Sequence, residues 1–272
     1  MSDVPRRLRQ YGLRPRKGLG QHFLANPTIL DRIVDAAELQ PTDRVLEIGP
    51  GLGDLTVRLA QRAGHVVAVE VDERLRPVLD AIARTHPGVR LVFGDILRQD
   101  LAALMGGEPY VLVANLPYYI TAAVLRHVLA RPPRPRRLVL LVQREVAARM
   151  AARPPRMNLL ALQTQLHGQP RVLFRVPAAA FVPRPKVDSA VVRIDALPTP
   201  RIPLEQEARF WRVARAAFAH KRKQLRNTLA AGLGLDKRTV EAWLRAAEVD
   251  PARRAETLDW GEWQRLVARA PW

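Results

Sequence analysis

Short runs of aliphatic and β-branched residues recur in the first half of the chain, at 44–48, 66–70, 89–93, 110–114 and 138–142. They are apolar at most consecutive positions, too continuous for strands covered on one face only. Between them the period changes. Ile29, Ile33, Val34 and Ala37, and again Leu55, Leu59 and Ala63, fall three and four apart, the spacing of one helix face. This alternation predicts consecutive βα units and a doubly wound, mostly parallel α/β sheet. Two later runs, 171–176 and 190–194, are joined by a Pro-rich connector with no full helical pattern between 177 and 188. They are expected to form an antiparallel edge pair and bring the Rossmann-like sheet to seven strands.

Beyond Ala196, the stretch Leu197-Pro198-Thr199-Pro200-Arg201-Ile202-Pro203 suits a linker better than a strand or helix interior. After it only helical periodicity remains, near 205–219, 237–246 and 259–268. The expected organisation is a basic N-terminal arm over 1–23, a sheet domain over 24–196, a Pro-rich linker over 197–204 and a small all-α domain over 205–272. Trp211, Trp243, Trp260 and Trp263 sit at core-like spacing in the last of these and are expected to pack rather than stack on a ligand.

With 272 residues, 48% of them hydrophobic, the chain is able to bury a sizeable core. No apolar run approaches a membrane span, the longest strongly aliphatic one being 138–142, and the Arg-studded N-terminus lacks an apolar signal core. A soluble intracellular protein is expected. The absence of cysteine excludes disulfides, thiolate catalysis and Cys-ligated metal sites. His65, His86, His127, His167 and His220 lie apart without ligand spacing, so no metal is expected.

Charge changes the picture further. The net charge of +18 exceeds what solubility requires and points to a polyanionic partner. It is concentrated in three places: residues 1–23, residues 131–156 with eight arginines against Glu145, and residues 201–272. The rest of the chain is neutral. A general bias toward arginine would raise its usage without regard to segment, so the patches read as a footprint for phosphates.

The first strand runs into Glu47-Ile48-Gly49-Pro50-Gly51-Leu52-Gly53 and then a helix. Glycines such as Gly49 and Gly51 at that turn let a nucleotide approach the backbone. A dinucleotide fingerprint would want its third glycine at 54, where Asp54 stands and would oppose a diphosphate. Glu70 ends the second strand, placed to accept from both ribose hydroxyls, and Asp95 ends the third, where it could accept from an adenine amino group. Together these describe a site for S-adenosyl-L-methionine. The fourth strand ends in Asn115-Leu116-Pro117-Tyr118. An exocyclic adenine amine is a poor nucleophile because its lone pair is delocalised into the ring. The Asn115 side-chain oxygen and the Leu116 carbonyl can each accept one amine hydrogen and draw the nitrogen toward tetrahedral geometry. Tyr118 would stack on a flipped base.

These motifs, with Lys17-Gly18-Leu19-Gly20-Gln21-His22-Phe23-Leu24, Asn115 to Tyr119, Gln143-Arg144-Glu145-Val146, the block from Phe181 to Val192 and Lys221-Arg222-Lys223-Gln224-Leu225-Arg226-Asn227, resemble the ribosomal RNA adenine dimethyltransferase family over about 17–260. The later blocks look like its small-subunit (16S) branch. That resemblance implies a methyltransferase giving N6,N6-dimethyladenosines at two adjacent adenines near the 3′ end of that RNA. It further implies a cytoplasmic monomer whose partner is the small ribosomal subunit precursor, with a part in ribosome biogenesis. By the same resemblance His22 and Leu24 close over the cofactor, Gly49 meets its methionine part, and Phe181 opposes Tyr118 across the base. Arg134, Arg136, Arg137, Arg144, Arg153, Lys221, Arg222, Lys223 and Arg226 are expected to bind RNA backbone. Arg184, where the family commonly has a proline, is expected to add a phosphate contact; Met157-Asn158 also departs from the usual pair. The alternatives are a large-subunit (23S) methyltransferase of the macrolide-resistance type and a mainly non-catalytic assembly factor.

Overall fold

The computed structural model describes residues 3–117, 119–130, 132–220 and 222–272. The chain begins α1 (Val4–Gln10), β1 (Phe23–Leu24), α2 (Pro27–Ala37), β2 (Arg44–Ile48), α3 (Asp54–Ala60), β3 (His65–Glu70), α4 (Arg76–Thr85) and β4 (Val89–Phe93). It continues through α5 (Leu101–Met105), β5 (Tyr110–Asn115), α6 (Thr121–Ala130), β6 (Pro135–Gln143), α7 (Arg144–Met150), α8 (Leu159–Gln165), β7 (Gly168–Val176), β8 (Phe181–Val182) and β9 (Ser189–Ala196). The remainder is α9 (Leu204–Phe218), α10 (Leu225–Leu233), α11 (Lys237–Ala246) and α12 (Trp260–Ala268). Two compact units result, one from the residues up to Ala147 with Pro170–Ala196, the other from Ala148–Gln169 with Leu197–Trp272.

The first unit is an α/β sheet of seven strands in the order β4-β3-β2-β5-β6-β9-β7. Strands β2 to β6 run parallel to one another, and β9 runs antiparallel to β6. Val45, Leu46 and Ile48, the 111–114 run and the 138–142 run are all buried, so the unbroken apolar runs do mark two-sided strands. Asn26 caps α2 by accepting from the Ile29 N–H, and Pro27 supplies the preset first turn. Ile29, Leu30, Ile33, Val34 and Ala37 of that helix are buried in a cluster with Val111, Val113, Val139 and Leu141. Each such aliphatic side chain contributes about 1.5–3 kcal/mol. Chain order reverses between β2 and β5, which opens a crevice at their carboxyl ends.

Three expectations about organisation need correction. Residues 1–23 are not a free basic arm: α1 buries Val4 and Leu8 in a cluster with Leu52, Leu75, Val78, Leu79 and Ile82. Arg7 pairs with Asp54 at 2.8 Å and donates to the Leu52 carbonyl. The boundary at 196 is incomplete, because 148–169 belongs to the helical unit, where Met157, Ala161, Leu162 and Leu166 share a core with Phe210, Val213, Trp243 and Trp263. Within 197–204, Ile202 is buried in that same core, so the segment is anchored. The later edge strands do lie side by side, β9 next to β7.

In the second unit the tryptophans pack. Trp263 is fully buried, Trp243 donates to the Leu266 carbonyl at 2.9 Å, and Phe210 meets Trp211, Trp260 and Trp263 ring to ring. Asn158 caps α8 by accepting from the Ala161 N–H. Arg222 and Lys223 lie in the turn before α10, which starts only at Leu225.

Candidate active site at the carboxyl ends of the strands

A cavity of about 370 Å3 occupies the crevice. His22, Leu24, Gly49, Gly51, Glu70, Asp95 and Asn115 all line it, as do Leu116 and Pro117, although they come from five separate stretches of chain. The turn after β2 is held open by its glycines. Gly49 has φ +71°, and a Cβ there would stand 3.9 Å from the Asn115 carbonyl oxygen. Gly53 has φ +83°, and a Cβ there would strike Ile82 Cδ1 at 2.1 Å.

Glu70 is buried, and each of its oxygens already accepts one backbone N–H, from Gly51 at 3.1 Å and from Asp72 at 2.9 Å. Burial raises its pKa, opposed in part by those two bonds. A carboxylate oxygen accepts more than one donor, so the pair is fixed in place with capacity left for ribose hydroxyls. Asp72 in turn accepts from the Gln21 amide at 2.8 Å, which ties the 17–24 segment to the same corner. Asp95 uses Oδ1 to accept from the Leu97 N–H at 2.9 Å.

Asn115 Nδ2 donates to the His22 carbonyl at 3.1 Å. With the amide NH2 engaged, the side-chain oxygen is the group offered to a ligand. The Leu116 N–H is taken by the Leu141 carbonyl, which fixes the backbone of the motif.

Glu47 lines the cavity and had no role assigned to it from sequence. It is 1% exposed, and neither of its oxygens, nor the Thr56 hydroxyl beside it, has a partner at hydrogen-bonding geometry. Burial pushes its pKa up to about 8, opposed in part by the neighbouring Thr56 hydroxyl and reinforced by the nearby Glu70 and Asp54 carboxylates. An unpartnered carboxyl facing a cavity is costly unless a ligand donates to it. Glycine turn, ribose-type carboxylate, Asp95 and this orphaned acid together fit S-adenosylmethionine, which carries cationic groups.

Phe181, expected to oppose Tyr118 across the base, is held beside the cavity wall through its strand partner Leu24, which lines the cavity. The two pair in the two-stranded β1–β8 ribbon and are buried in one apolar cluster. Tyr118 lies outside the described residues. Tyr119, 64% exposed at the cavity mouth beside Gly20 and Pro117, is an aromatic residue that sequence reasoning gave no role.

Residues 12–270 match the family of ribosomal RNA adenine dimethylases. The chain belongs to that family. A Dehalococcoides mccartyi protein described as ribosomal RNA small subunit methyltransferase A is 47% identical over 268 residues, covering 98% of this chain and 92% of its own. A Pelotomaculum thermopropionicum protein of the same description is 44% identical, over 96% and 92%. Among solved structures, the 23S rRNA methyltransferase ErmE superposes with a TM-score of 0.73 at 30% identity, over 91% of this chain and 98% of its own. A Plasmodium falciparum dimethyladenosine transferase superposes with 0.76 at 24% identity, over 90% and 96%, a likeness of fold.

For this ribosomal RNA adenine dimethylase family member, the residues expected to bind RNA backbone fall into distinct groups. Arg134, Arg136 and Arg137 sit at the start of β6, which pairs with the start of β5, whereas Asn115 is at the other end. Six residues of strand from Arg137 to Gln143 span about 20 Å. All three are occupied: Arg134 by the Leu129 carbonyl, Arg136 by Asp43, and Arg137 by Asp195, Glu38 and the Ala37 carbonyl. They lie at the end of the strands opposite Asn115, each held by protein groups. Arg226 is paired with Glu241. Arg144, Arg153, Arg184, Arg222 and Lys223 are exposed. Lys221 lies outside the described residues.

Proposed function

We propose that this protein transfers methyl groups from S-adenosylmethionine to the N6 amine of two adjacent adenines near the 3′ end of small-subunit ribosomal RNA. The observation that carries the reading is Asn115, locked by the His22 carbonyl so that its oxygen faces a cavity edged by Glu70 and Asp95. The choice of RNA is supported by relatives at 44–47% identity whose descriptions name the small subunit. When bound, the cofactor supplies an electrophilic methyl on a sulfonium, so orientation suffices without a strong base. Glu70 holds ribose hydroxyls, Asp95 accepts from the cofactor's adenine, and Glu47 offers its carboxyl to a cationic group. Asn115 Oδ1 and the Leu116 carbonyl accept the two hydrogens of the target amine and turn its lone pair toward the methyl. The nitrogen that gains the methyl sheds one proton to water, so a single N–H remains after the first transfer, enough for one of these acceptors to hold the amine for the second. The target base is extruded from its stack to reach them. The partner is the small-subunit precursor, engaged by a cytoplasmic monomer with a part in ribosome biogenesis; no helix among the described residues is long and apolar enough to cross a membrane.

The likeness to ErmE favours a second reading, transfer to 23S RNA. Incubation with methyl-labelled S-adenosylmethionine and undermethylated small and large subunits, followed by nucleoside mass spectrometry, separates the two. Dimethyladenosine at two adjacent small-subunit positions is the expected result. Label confined to large-subunit RNA overturns it.

A further inference from the structure

The first unit carries a second cleft, of about 390 Å3, distinct in its lining from the cavity of Asn115. One wall is Gln143, Arg144 and Glu145 at the carboxyl end of β6; the other is the 184–188 segment that follows β8. The walls are joined where the Arg144 N–H donates to the Asp188 carbonyl at 3.0 Å.

Both walls grow from residues that position Asn115. On β6, Leu141 pairs with Asn115 and accepts from the Leu116 N–H two residues before the cleft begins. On the other side, the His22 ring Nδ1 lies 2.7 Å from the Pro183 carbonyl oxygen, and Arg184 is the next residue. The same His22 carries the carbonyl that locks Asn115. The cleft is thus next along the chain, on two sides, from the site of transfer.

Its charge is unlike that of the far edge. Arg144, Arg184 and Lys186 are exposed, and none has an ion-pair partner among the described residues. Asp188 is already satisfied: its carboxylate accepts from the Ala178 N–H at 3.0 Å and from Arg175 at 2.9 Å. Arg144 also lies near Asp188, so the lining sets Arg144, Arg184 and Lys186 against Glu145 and an Asp188 already held by Arg175. By contrast, the arginines at the start of β6 are bound to protein groups. Free guanidinium and ammonium groups converging on a polar cleft suit phosphate oxygens, and phosphate contacts set register rather than read bases.

We propose that this cleft grips the RNA phosphodiester adjoining the target adenosine, so that backbone register decides which adenine enters the cavity. The inference rests on the RNA-adenine reading above and adds the subsite that positions the strand. Two variants test it: Arg144→Gln, and Arg184→Gln combined with Lys186→Gln. Each is assayed for transfer to undermethylated small subunits across a range of KCl. The expected result is a KM for the subunit raised about tenfold, with the slope of log KM against log salt shallower by about 0.7–1 for each phosphate that the variant no longer neutralises. The KM for S-adenosylmethionine stays as in the wild type, and Arg184→Lys retains subunit affinity. Ethylation of phosphates beside the modified adenines should block the wild type yet cost a triple variant, Arg144→Gln with Arg184→Gln and Lys186→Gln, nothing more. An unchanged subunit KM and salt slope, or ethylation interference that persists in the triple variant, overturns the proposal. A wild-type protein that leaves these subunits unmethylated overturns the proposed function instead, so the two failures are distinguishable.

Discussion

Asn115 reaches across the cavity to His22: the amide NH2 of one donates to the backbone carbonyl of the other at 3.1 Å. A main-chain acceptor fixes which way the amide faces, and no substitution of the His22 side chain removes it. Asn115→Asp is isosteric but sets a carboxylate oxygen against that carbonyl, so orientation is lost together with the donor. Transfer should fall by about 10²-fold or more in both Asn115→Asp and Asn115→Ala. Single-turnover transfer measured beside calorimetric cofactor binding checks this; a variant within about threefold of wild type would sink the role.

Glu47 has a pH signature. Its pKa is pushed from 4.5 to about 8, so the folded protein retains a proton that the unfolded chain releases. Its contribution to stability is therefore full below about pH 4.5 and is lost as pH rises toward 8. Thermal denaturation of the cofactor-free protein across that window should show a decline that is flatter in Glu47→Gln, the gap being widest near pH 8. If a cationic group of the cofactor ionises the acid on binding, up to about one proton is released at pH 7. Calorimetry in buffers of different ionisation enthalpy would detect it, and the Gln variant should show none.

Arg137 separates stability from RNA binding. It holds Asp195 and Glu38 at the amino ends of the strands. The Asp195 carboxyl is partly buried, which alone would raise its pKa, yet Arg137, Arg171 and Arg193 hold it below the usual value. Arg137→Ala should cost about 1 kcal/mol in urea denaturation, since it removes one of three guanidiniums on Asp195 and one of two on Glu38. The deficit should shrink as pH falls below about 4, where the carboxylates protonate. The salt slope of subunit binding should not move; a shallower slope would return Arg137 to the RNA interface.

Gly53→Ala would bring a methyl against Ile82 Cδ1 and impose a left-handed φ on a residue with a side chain. A loss of about 2–4 kcal/mol is expected from strain and overlap together. Adding Ile82→Val removes the clashing atom, so the double variant should recover part of the loss but keep the backbone term. A denaturant midpoint equal to wild type in the single variant would contradict the geometry.

What could be read from the sequence divides along physical lines. Strands β5 and β6 carry apolar residues at successive positions, and Glu70 and Asp95 stand at strand ends, so local pattern and tertiary place coincide. Phe181 is different: its local sequence does not show that it pairs with Leu24, 157 residues earlier in the chain and itself part of the cavity lining. The arginines at 134, 136 and 137 were legible as charge but not as charge already matched, because Asp43, Glu38 and Asp195 lie far away in the chain. Helix α1 was hidden by the five basic side chains around its two buried residues, Val4 and Leu8, and the turn that follows.

The helical unit is assembled from two pieces, Ala148–Gln169 and Leu197–Trp272, with three strands of the other unit made in between. During synthesis Met157, Ala161, Leu162 and Leu166 therefore leave the ribosome well before Phe210 and Trp263, the residues that cover them. An early apolar helix must wait, unburied, until the last turn of the chain has been made. A fragment beginning at 197 would lack those four side chains and present the matching hollow to solvent, so the unit cannot be obtained by simple truncation.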